Sequence, residues 1–314
     1  MMRFIRAVPI PMAALALAFA ALGNLMLKLP HGLELGEIVR YGCGIVSVIL
    51  LILVILKLIL DHPHARSELK TPVPLSVLPT VTMTLMLLCT YIKPFLGDAT
   101  TYLWYVVVAT QVIIMLGFIT RFVRDFKLES VFASWFVVAV GIVVASVTAP
   151  AMNAIFVGQI AFYIGLSLYI LTLPVVIYRL VKRPAMMEPF TLTTAIFTAP
   201  ASLLLVGYLN SFAEQVDQTV VYALLVTAAV MYLYVSAKMI SMLRVKFYPT
   251  YAAFTFPLVI SATAFRQAHV FLTAQGFSFF APVAMLSMII AITIVVYVFV
   301  RYIMYFKYYL SFSR

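Results

Sequence analysis

Charged residues are scarce in this 314-residue chain. Asp, Glu, Lys and Arg make up 10% of it and hydrophobic residues 65%, whereas a soluble domain is about 25% charged. The mean hydropathy of +1.13 therefore excludes a soluble globular protein. Cysteine is almost absent. Because Cys43 and Cys89 both lie in apolar stretches, neither a disulfide framework nor a cysteine metal cluster is available.

Long apolar runs account for most of the chain. A helix needs about 20 apolar residues to cross a membrane, and ten such runs follow one another: 8–27, 41–59, 73–92, 101–120, 131–149, 154–178, 189–209, 218–237, 251–271 and 281–300. We expect an all-α polytopic membrane protein, with residues 1–314 forming a single ten-span transmembrane domain. A tight turn near Pro150 and Asn153 is predicted, because residues 130–178 carry no charge and are too many for one crossing.

Basic residues are distributed unevenly between the two sets of loops. With ten spans, 17 of the 21 Lys and Arg residues fall on the side of the termini and 4 on the other, whereas the acids divide equally. Cytoplasmic loops are enriched in Lys and Arg. We therefore predict a multi-pass protein of a bacterial cytoplasmic (inner) membrane with both termini cytoplasmic. Alternatively, Arg3, Arg6 and the segment 18–20 fit a cleavable signal peptide, which would leave nine spans.

Proline and hydroxyl residues concentrate in the odd-numbered spans. Spans one, three, seven and nine contain or begin with proline, whereas spans two, four and eight have none. Proline frees a backbone carbonyl from the helix, and within a membrane that group must face protein or water. We expect five helical hairpins, with the odd helices ringing a central pore and the even helices outside. The alternative is that Thr and Pro only pack the bundle.

Acidic residues are absent from the odd spans. Cation channels and proton-coupled carriers usually place carboxylates within the membrane, so this absence argues against cation transport. We also expect no buried Lys or Arg that would hold an anion tightly. Hydroxyls and the ends of kinked helices would stabilise an anion weakly, which suits fast passage.

Recognised motifs of enzymes and cofactor sites do not occur. The sequence has no nucleophile elbow, phosphate-binding glycine loop or metalloprotease motif. The spacing of His62 and His64 beside Asp61 matches no strong metal site. We predict no enzyme activity, no cofactor and no metal. The net charge of +11 is explained by loop residues, so no nucleic-acid partner is predicted.

Four segments carry a family likeness: VPIPMAALALA (8–18), SWFVVAVG (134–141), MEPFTLTTAIFTAPA (187–201) and YAAFTFP (251–257). They resemble the tellurite-resistance/dicarboxylate transporter family, which includes TehA and the plant guard-cell slow anion channel. The likeness extends over essentially the whole chain. It implies a homotrimer in which each subunit has its own pore, ringed by five inner helices and plugged by a phenylalanine that corresponds to Phe256.

Site residues follow from this resemblance and from the composition of the odd spans. An aromatic ring in a narrow uncharged pore blocks ions sterically and by dewetting, so we expect Phe256 to be the gate. Arg266 and His269 are expected to form an outer vestibule that attracts anions. The expected pore-lining residues are Pro11, Thr82, Thr84, Ser134, Gly141, Thr194, Thr198, Pro200, Phe254, Thr255 and Pro257.

Two kinds of anion transport agree with these observations. We predict a channel or uniporter that passes small monovalent inorganic anions through each subunit. The alternative is a secondary carrier that exports dicarboxylates or oxyanions such as malate, sulfite or tellurite. A strongly basic site inside the pore would favour the carrier.

Overall fold

The computed structural model describes residues 2–27, 33–183 and 187–311, and the regular structure in these ranges is helical throughout. The first half contains α1 (Met2–Ala7), α2 (Met12–Leu27), α3 (Leu33–Leu60), α4 (His62–Glu68), α5 (Pro72–Val77), α6 (Pro79–Leu96), α7 (Asp98–Phe118), α8 (Trp135–Val140) and α9 (Val143–Thr148). The second half contains α10 (Ile155–Lys182), α11 (Glu188–Thr191), α12 (Ala199–Ser211), α13 (Gln218–Leu243), α14 (Thr255–Ala274) and α15 (Ala281–Ser311). Shorter elements are a π-helical turn (Ile119–Val123) and 3₁₀ helices at Leu128–Ser130, Ala149–Met152, Leu192–Thr198 and Pro249–Phe254. Three of the basic residues counted in the topology prediction lie outside the described ranges, namely Lys28, Arg314 and the side chain of Arg3.

Seven helical segments of the described chain are long and apolar enough to cross a membrane. They are Glu34–Leu60, Pro72–Leu96, Asp98–Val123, Ile155–Lys182, Glu188–Ser211, Gln218–Leu243 and Ala281–Tyr309. Predicted spans one, five and nine are shorter or more polar. Span one contains α2, which has only 16 residues, and span five is split between α8 and α9. Span nine contains α14, which carries the polar residues Arg266, Gln267 and His269. Ten crossings therefore stay a prediction.

Five helices contact one another in a closed ring. Helix α2 contacts α6, α6 contacts α9, α9 contacts α12, α12 contacts α14, and α14 contacts α2. Each of them also packs on the helix that follows it, namely α3, α7, α10, α13 and α15 respectively. The ring segments are more deeply buried than the segments outside them. The most apolar 18-residue stretch of Glu188–Ser211, which belongs to the ring, is 94% buried, whereas that of Asp98–Val123, which lies outside it, is 22% buried.

The helices outside the ring expose large apolar side chains. Ile45, Ile49 and Ile52 are exposed on α3, and Leu103 and Val106 are exposed on α7. Exposed apolar surface of this extent is unfavourable in water but matches lipid tails. The structure is therefore that of a multi-pass membrane protein.

The helical segments that build the ring are interrupted at proline or glycine. The breaks lie next to Pro11, Pro79, Gly141, Pro200 and Pro257. Proline has no N–H to donate, and its ring crowds the carbonyl four residues earlier. The segment before the proline therefore forms a separate short helix or a 3₁₀ helix. Span five has no internal proline, and its helix is broken at Gly141 instead.

The turn predicted between spans five and six is confirmed. The 3₁₀ helix Ala149–Met152 begins with Pro150 at its second position, and Asn153 then adopts a left-handed conformation with φ of 54°. Asparagine is one of the few residues that adopts this conformation at low cost. The chain reverses here and enters α10.

Gly158 permits the close packing of α10 on α9 and α12. A Cβ atom at Gly158 would lie 2.5 Å from both Ala149 Cβ and Ser211 Oγ. We expect Gly158→Val to lower stability by about 1–3 kcal/mol through overpacking, measured as a lower melting temperature in detergent. Gly117→Val on α7 is the matched control, since a Cβ there meets nothing within 4 Å. Equal losses in the two variants would contradict the packing explanation.

Candidate functional site

Two cavities lie inside the ring of α2, α6, α9, α12 and α14. The narrow cavity has a volume of about 50 Å³ and is lined by residues that include Pro11, Thr80, Gly141, Thr193, Pro200 and Thr250. The wide cavity has a volume of about 450 Å³ and is lined by residues that include Asn24, Arg40, Thr90, Asn210, Thr263 and Gln267. The narrow cavity adjoins the helix breaks, whereas the wide cavity lies toward the carboxyl ends of the ring helices.

Phe256 and Leu203 line both cavities. Phe256 lies in the first turn of α14 and is 5% exposed, and Leu203 lies on the neighbouring ring helix α12 and is 2% exposed. Two buried apolar side chains thus form a wall between the two spaces.

The junction between the 3₁₀ helix and α14 positions Phe256. Thr255 Oγ1 donates to the Ala252 carbonyl at 2.7 Å and to the Ala14 carbonyl of α2 at 3.3 Å. The preceding Phe254 is fully buried and its ring lies 5.9 Å from that of Tyr251. Hydrogen bonds and aromatic packing therefore hold the backbone that leads into Phe256.

The narrow cavity is almost entirely apolar. Thr80 and Thr193 line it, but their hydroxyls donate to the carbonyls of Val77 and Phe190, each at 2.6 Å. Thr250 Oγ1 is buried and has no hydrogen-bond partner within the described ranges. No charged side chain among the described residues lines this cavity.

The wide cavity contains a buried arginine. Arg40 is 9% exposed; its Nε donates to Asn24 Oδ1 at 3.0 Å and its Nη2 to the Thr90 carbonyl at 2.7 Å. Pro94 stands four residues after Thr90 and cannot donate the helical hydrogen bond to that carbonyl. Arg40 therefore supplies the donor that Pro94 lacks. Its guanidinium also lies 4.5 Å from the centre of the Tyr91 ring.

Amides line the wide cavity as well. Gln267 Nε2 donates to Asn210 Oδ1 at 3.1 Å, and Asn210 Nδ2 donates to the Val147 carbonyl at 2.9 Å. Gln267 Oε1 is buried without a partner in the part of the chain that the structure describes. This cavity offers a positive charge and polar groups, whereas the narrow cavity offers apolar walls.

A protein-family model matches nearly the whole chain. The model SLAC1, described as voltage-dependent anion channel, matches residues 7–303. The chain belongs to the SLAC1 family. This family comprises anion channels and transporters, not enzymes, and the match confirms the resemblance seen in the sequence. No individually curated protein matches the chain.

The sequence-predicted pore residues of this SLAC1-family protein fall into two groups. Pro11, Gly141, Pro200 and Pro257 line the narrow cavity, where Phe256 is also found. The remaining predicted residues line neither cavity: Thr82, Thr84, Ser134, Thr194, Thr198, Phe254 and Thr255.

Most hydroxyls of the second group form hydrogen bonds to protein groups. Thr84 donates to the Thr80 carbonyl at 2.6 Å, and Ser134 Oγ accepts from Ser76 at 2.6 Å. Thr82 Oγ1 donates to Gln111 Oε1 on α7. Ser and Thr hydroxyls in helices readily reach carbonyls three or four residues earlier. A high hydroxyl content in the inner helices thus does not by itself produce a hydroxyl-lined pore.

The two predicted vestibule residues lie near the wide cavity but not in it. Arg266 lines a shallow pocket that shares Asn210 and Gln267 with the wide cavity. His269 Nδ1 is 3.3 Å from Thr273 Oγ1, and His269 lines neither this pocket nor the wide cavity.

Arg40 is the functional candidate that sequence reasoning missed. The second span was expected to begin at residue 41, which placed Arg40 in a loop, but α3 begins at Leu33. The expectation that no Lys or Arg is buried where it could bind an anion is therefore wrong, because Arg40 is buried and lines the wide cavity. Pro94 was the available signal, because the Thr90 carbonyl that it frees needs a donor from another helix.

A buried ion cluster holds the end of α3. Lys57 Nζ lies 3.2 Å from Asp61 Oδ2 and 3.1 Å from Glu68 Oε1, and it donates to the Arg6 carbonyl at 3.0 Å. His64 Nδ1, a candidate metal ligand in the sequence, lies 2.8 Å from Asp61 Oδ1. Burial would raise the pKa of Asp61, but hydrogen bonds and charges from Lys57 and His64 hold this pKa below its usual value.

Asp61→Asn should lower the melting temperature by several degrees at neutral pH. A carboxyl whose pKa is depressed on folding stabilises the protein above its unfolded pKa of about 3.9 and loses this contribution as the pH falls through the folded value. The difference between wild type and variant should therefore shrink toward pH 3. Glu129→Gln is the control, because Glu129 and Arg183 form an exposed pair at 3.9 Å. A difference that is independent of pH would contradict this role.

Proposed function

We propose that the protein is an anion channel or uniporter whose pore joins the narrow and wide cavities and is closed by Phe256. The observation that carries this proposal is that Phe256 lines both cavities. Membership of the SLAC1 family supports an anion as the transported species. The closed ring of five helices around the two cavities supports a pore within each subunit.

In this proposal the chain crosses a bacterial inner membrane ten times as five hairpins and assembles as a homotrimer. Both termini are cytoplasmic, since 17 of the 21 basic residues then lie on that side. The narrow cavity accordingly opens from the cytoplasm, and the wide cavity opens from the opposite side. The trimer follows from the family resemblance.

The closed state blocks ions by excluding water. A cavity of about 50 Å³ accommodates only a few water molecules, and the wall formed by Phe256 and Leu203 offers no polar group. An ion at this level loses most of its hydration without compensation. Rotation of the Phe256 ring toward the wide cavity, where space is available, would open the route.

The lining groups favour small monovalent anions over cations. No carboxylate among the described residues lines either cavity, and Arg40 contributes a positive charge. Dehydration at the apolar wall costs more for a doubly charged ion than for a singly charged one, which favours monovalent species.

A secondary carrier for dicarboxylates or oxyanions is the second candidate. Arg40 in a cavity of about 450 Å³ is the observation that favours it, since a larger anion fits there beside a fixed positive charge. Transport that saturates at low anion concentration and shows exchange across the membrane would indicate the carrier. Current that rises with anion concentration without exchange would indicate the channel.

Phe256→Ala should increase chloride or nitrate current at least tenfold over wild type in planar bilayers. Removing the ring joins the two cavities and admits water. Phe265→Ala is the matched control, because Phe265 lies on the same helix and is 1% exposed but lines neither cavity. Both variants should lose about 3–5 kcal/mol of stability, so each is checked for a folded oligomer by gel filtration. Unchanged current in folded Phe256→Ala, or an equal increase in Phe265→Ala, would contradict the gate.

A further inference from the structure

We propose that Arg40 makes the wide cavity a binding site for hydrated inorganic anions, which it concentrates beside Phe256. This inference rests on the proposed function, because it assigns the wide cavity to the transport route. It adds a residue of α3, outside the ring, to those that attract anions to the route.

Arg40 is held rigidly at the cavity wall. Its Nε and Nη2 are bound to Asn24 of α2 and to the Thr90 carbonyl of α6, and the Tyr91 ring packs against its guanidinium. Asn24 is itself fixed, because its Nδ2 donates to Thr90 Oγ1 at 3.2 Å. The positive charge therefore has a defined position between two ring helices.

The charge of Arg40 has no acidic partner in the described ranges. Lys57 lies beside two carboxylates, and Lys93 lies 3.0 Å from Asp98 Oδ1, whereas no ion pair involves Arg40. Its hydrogen bonds to Asn24 and to the Thr90 carbonyl are made by Nε and Nη2, and neither partner is charged. A buried charge without a counter-ion attracts an anion from solution.

The size and polarity of the cavity indicate a hydrated anion. A volume of about 450 Å³ holds a small anion together with several waters. Gln267 Oε1, which is buried and unpartnered, is an acceptor and so pairs with a water, not with the anion itself. Arg40 supplies the donor and Gln267 anchors the hydration shell. Binding of this kind is weak and discriminates little between chloride and nitrate.

Ionic strength separates this electrostatic role from a structural one. A fixed charge in a cleft raises the local counter-ion concentration by about 10–10³-fold at low salt. Screening reduces the effect at about 1 M salt, where the Debye length is about 3 Å. Loss of a purely structural contact would reduce current by the same factor at all salt concentrations.

The first experiment measures chloride conductance in the Phe256→Ala background at about 10 mM and about 1 M sodium chloride. Arg40→Gln should reduce conductance about tenfold at low salt and little at high salt, while Arg40→Lys retains most of it. Lys93→Gln is the control, since Lys93 lies on the same side of the membrane in the proposed topology but is paired with Asp98 and lines neither cavity. No change in Arg40→Gln, or the same reduction at both salt concentrations, would overturn the proposal.

The second experiment does not depend on the gate. Broadening of the chloride NMR signal by detergent-solubilised protein is compared between wild type, Arg40→Gln, Arg40→Lys and Lys93→Gln. Arg40→Gln should lose most of the broadening, and the other two variants should keep it. Equal broadening by wild type and Arg40→Gln would overturn the site. If Phe256→Ala passes no current, the proposed function fails, while this measurement still decides whether Arg40 binds anions.

Discussion

Within a membrane, every backbone carbonyl that proline releases from its helix must find another partner. In this structure the interrupted helices form the ring, and the helices packed against them expose large apolar side chains. Pro11, Pro200 and Pro257 line the narrow cavity at the level of the breaks. At Pro94 the released carbonyl of Thr90 is bound by Arg40 instead. The same constraint therefore applies at the prolines of the narrow cavity and at the buried charge of the wide cavity.

In the proposed pore, the two cavities divide the requirements of anion transport. The wide cavity has a fixed positive charge and amide groups, so an anion enters it with its water. The narrow cavity is apolar and small, so passage requires loss of water. Phe256 and Leu203 line both environments, which is why the proposal assigns the gate to this position.

The sequence predicts more of the fold than of the site. Proline marks the segments of four of the five ring helices, because the hydrogen bond that it lacks does not depend on tertiary context. Span five is broken at Gly141 instead, and the outer helix α10 contains Pro174. The hydroxyl content of the odd spans does not identify the residues that line the cavities, since Thr84 and Thr198 donate to carbonyls of their own helices. Arg40 is missed because α3 begins at Leu33, before the apolar run from which the second span was predicted. Phe256 is one of 24 phenylalanines, and only the family resemblance distinguishes it.

Cysteine accessibility tests the barrier at Phe256 most directly. In a background with both native cysteines replaced by serine, Thr263→Cys reports on the wide cavity and Ala253→Cys on the narrow one. An anionic, membrane-impermeant thiol reagent added outside should modify the cysteine at 263 and not the one at 253. After Phe256→Ala, both should react from outside. Modification at 253 while Phe256 is intact, or protection at 253 after its removal, would contradict a barrier formed by this ring.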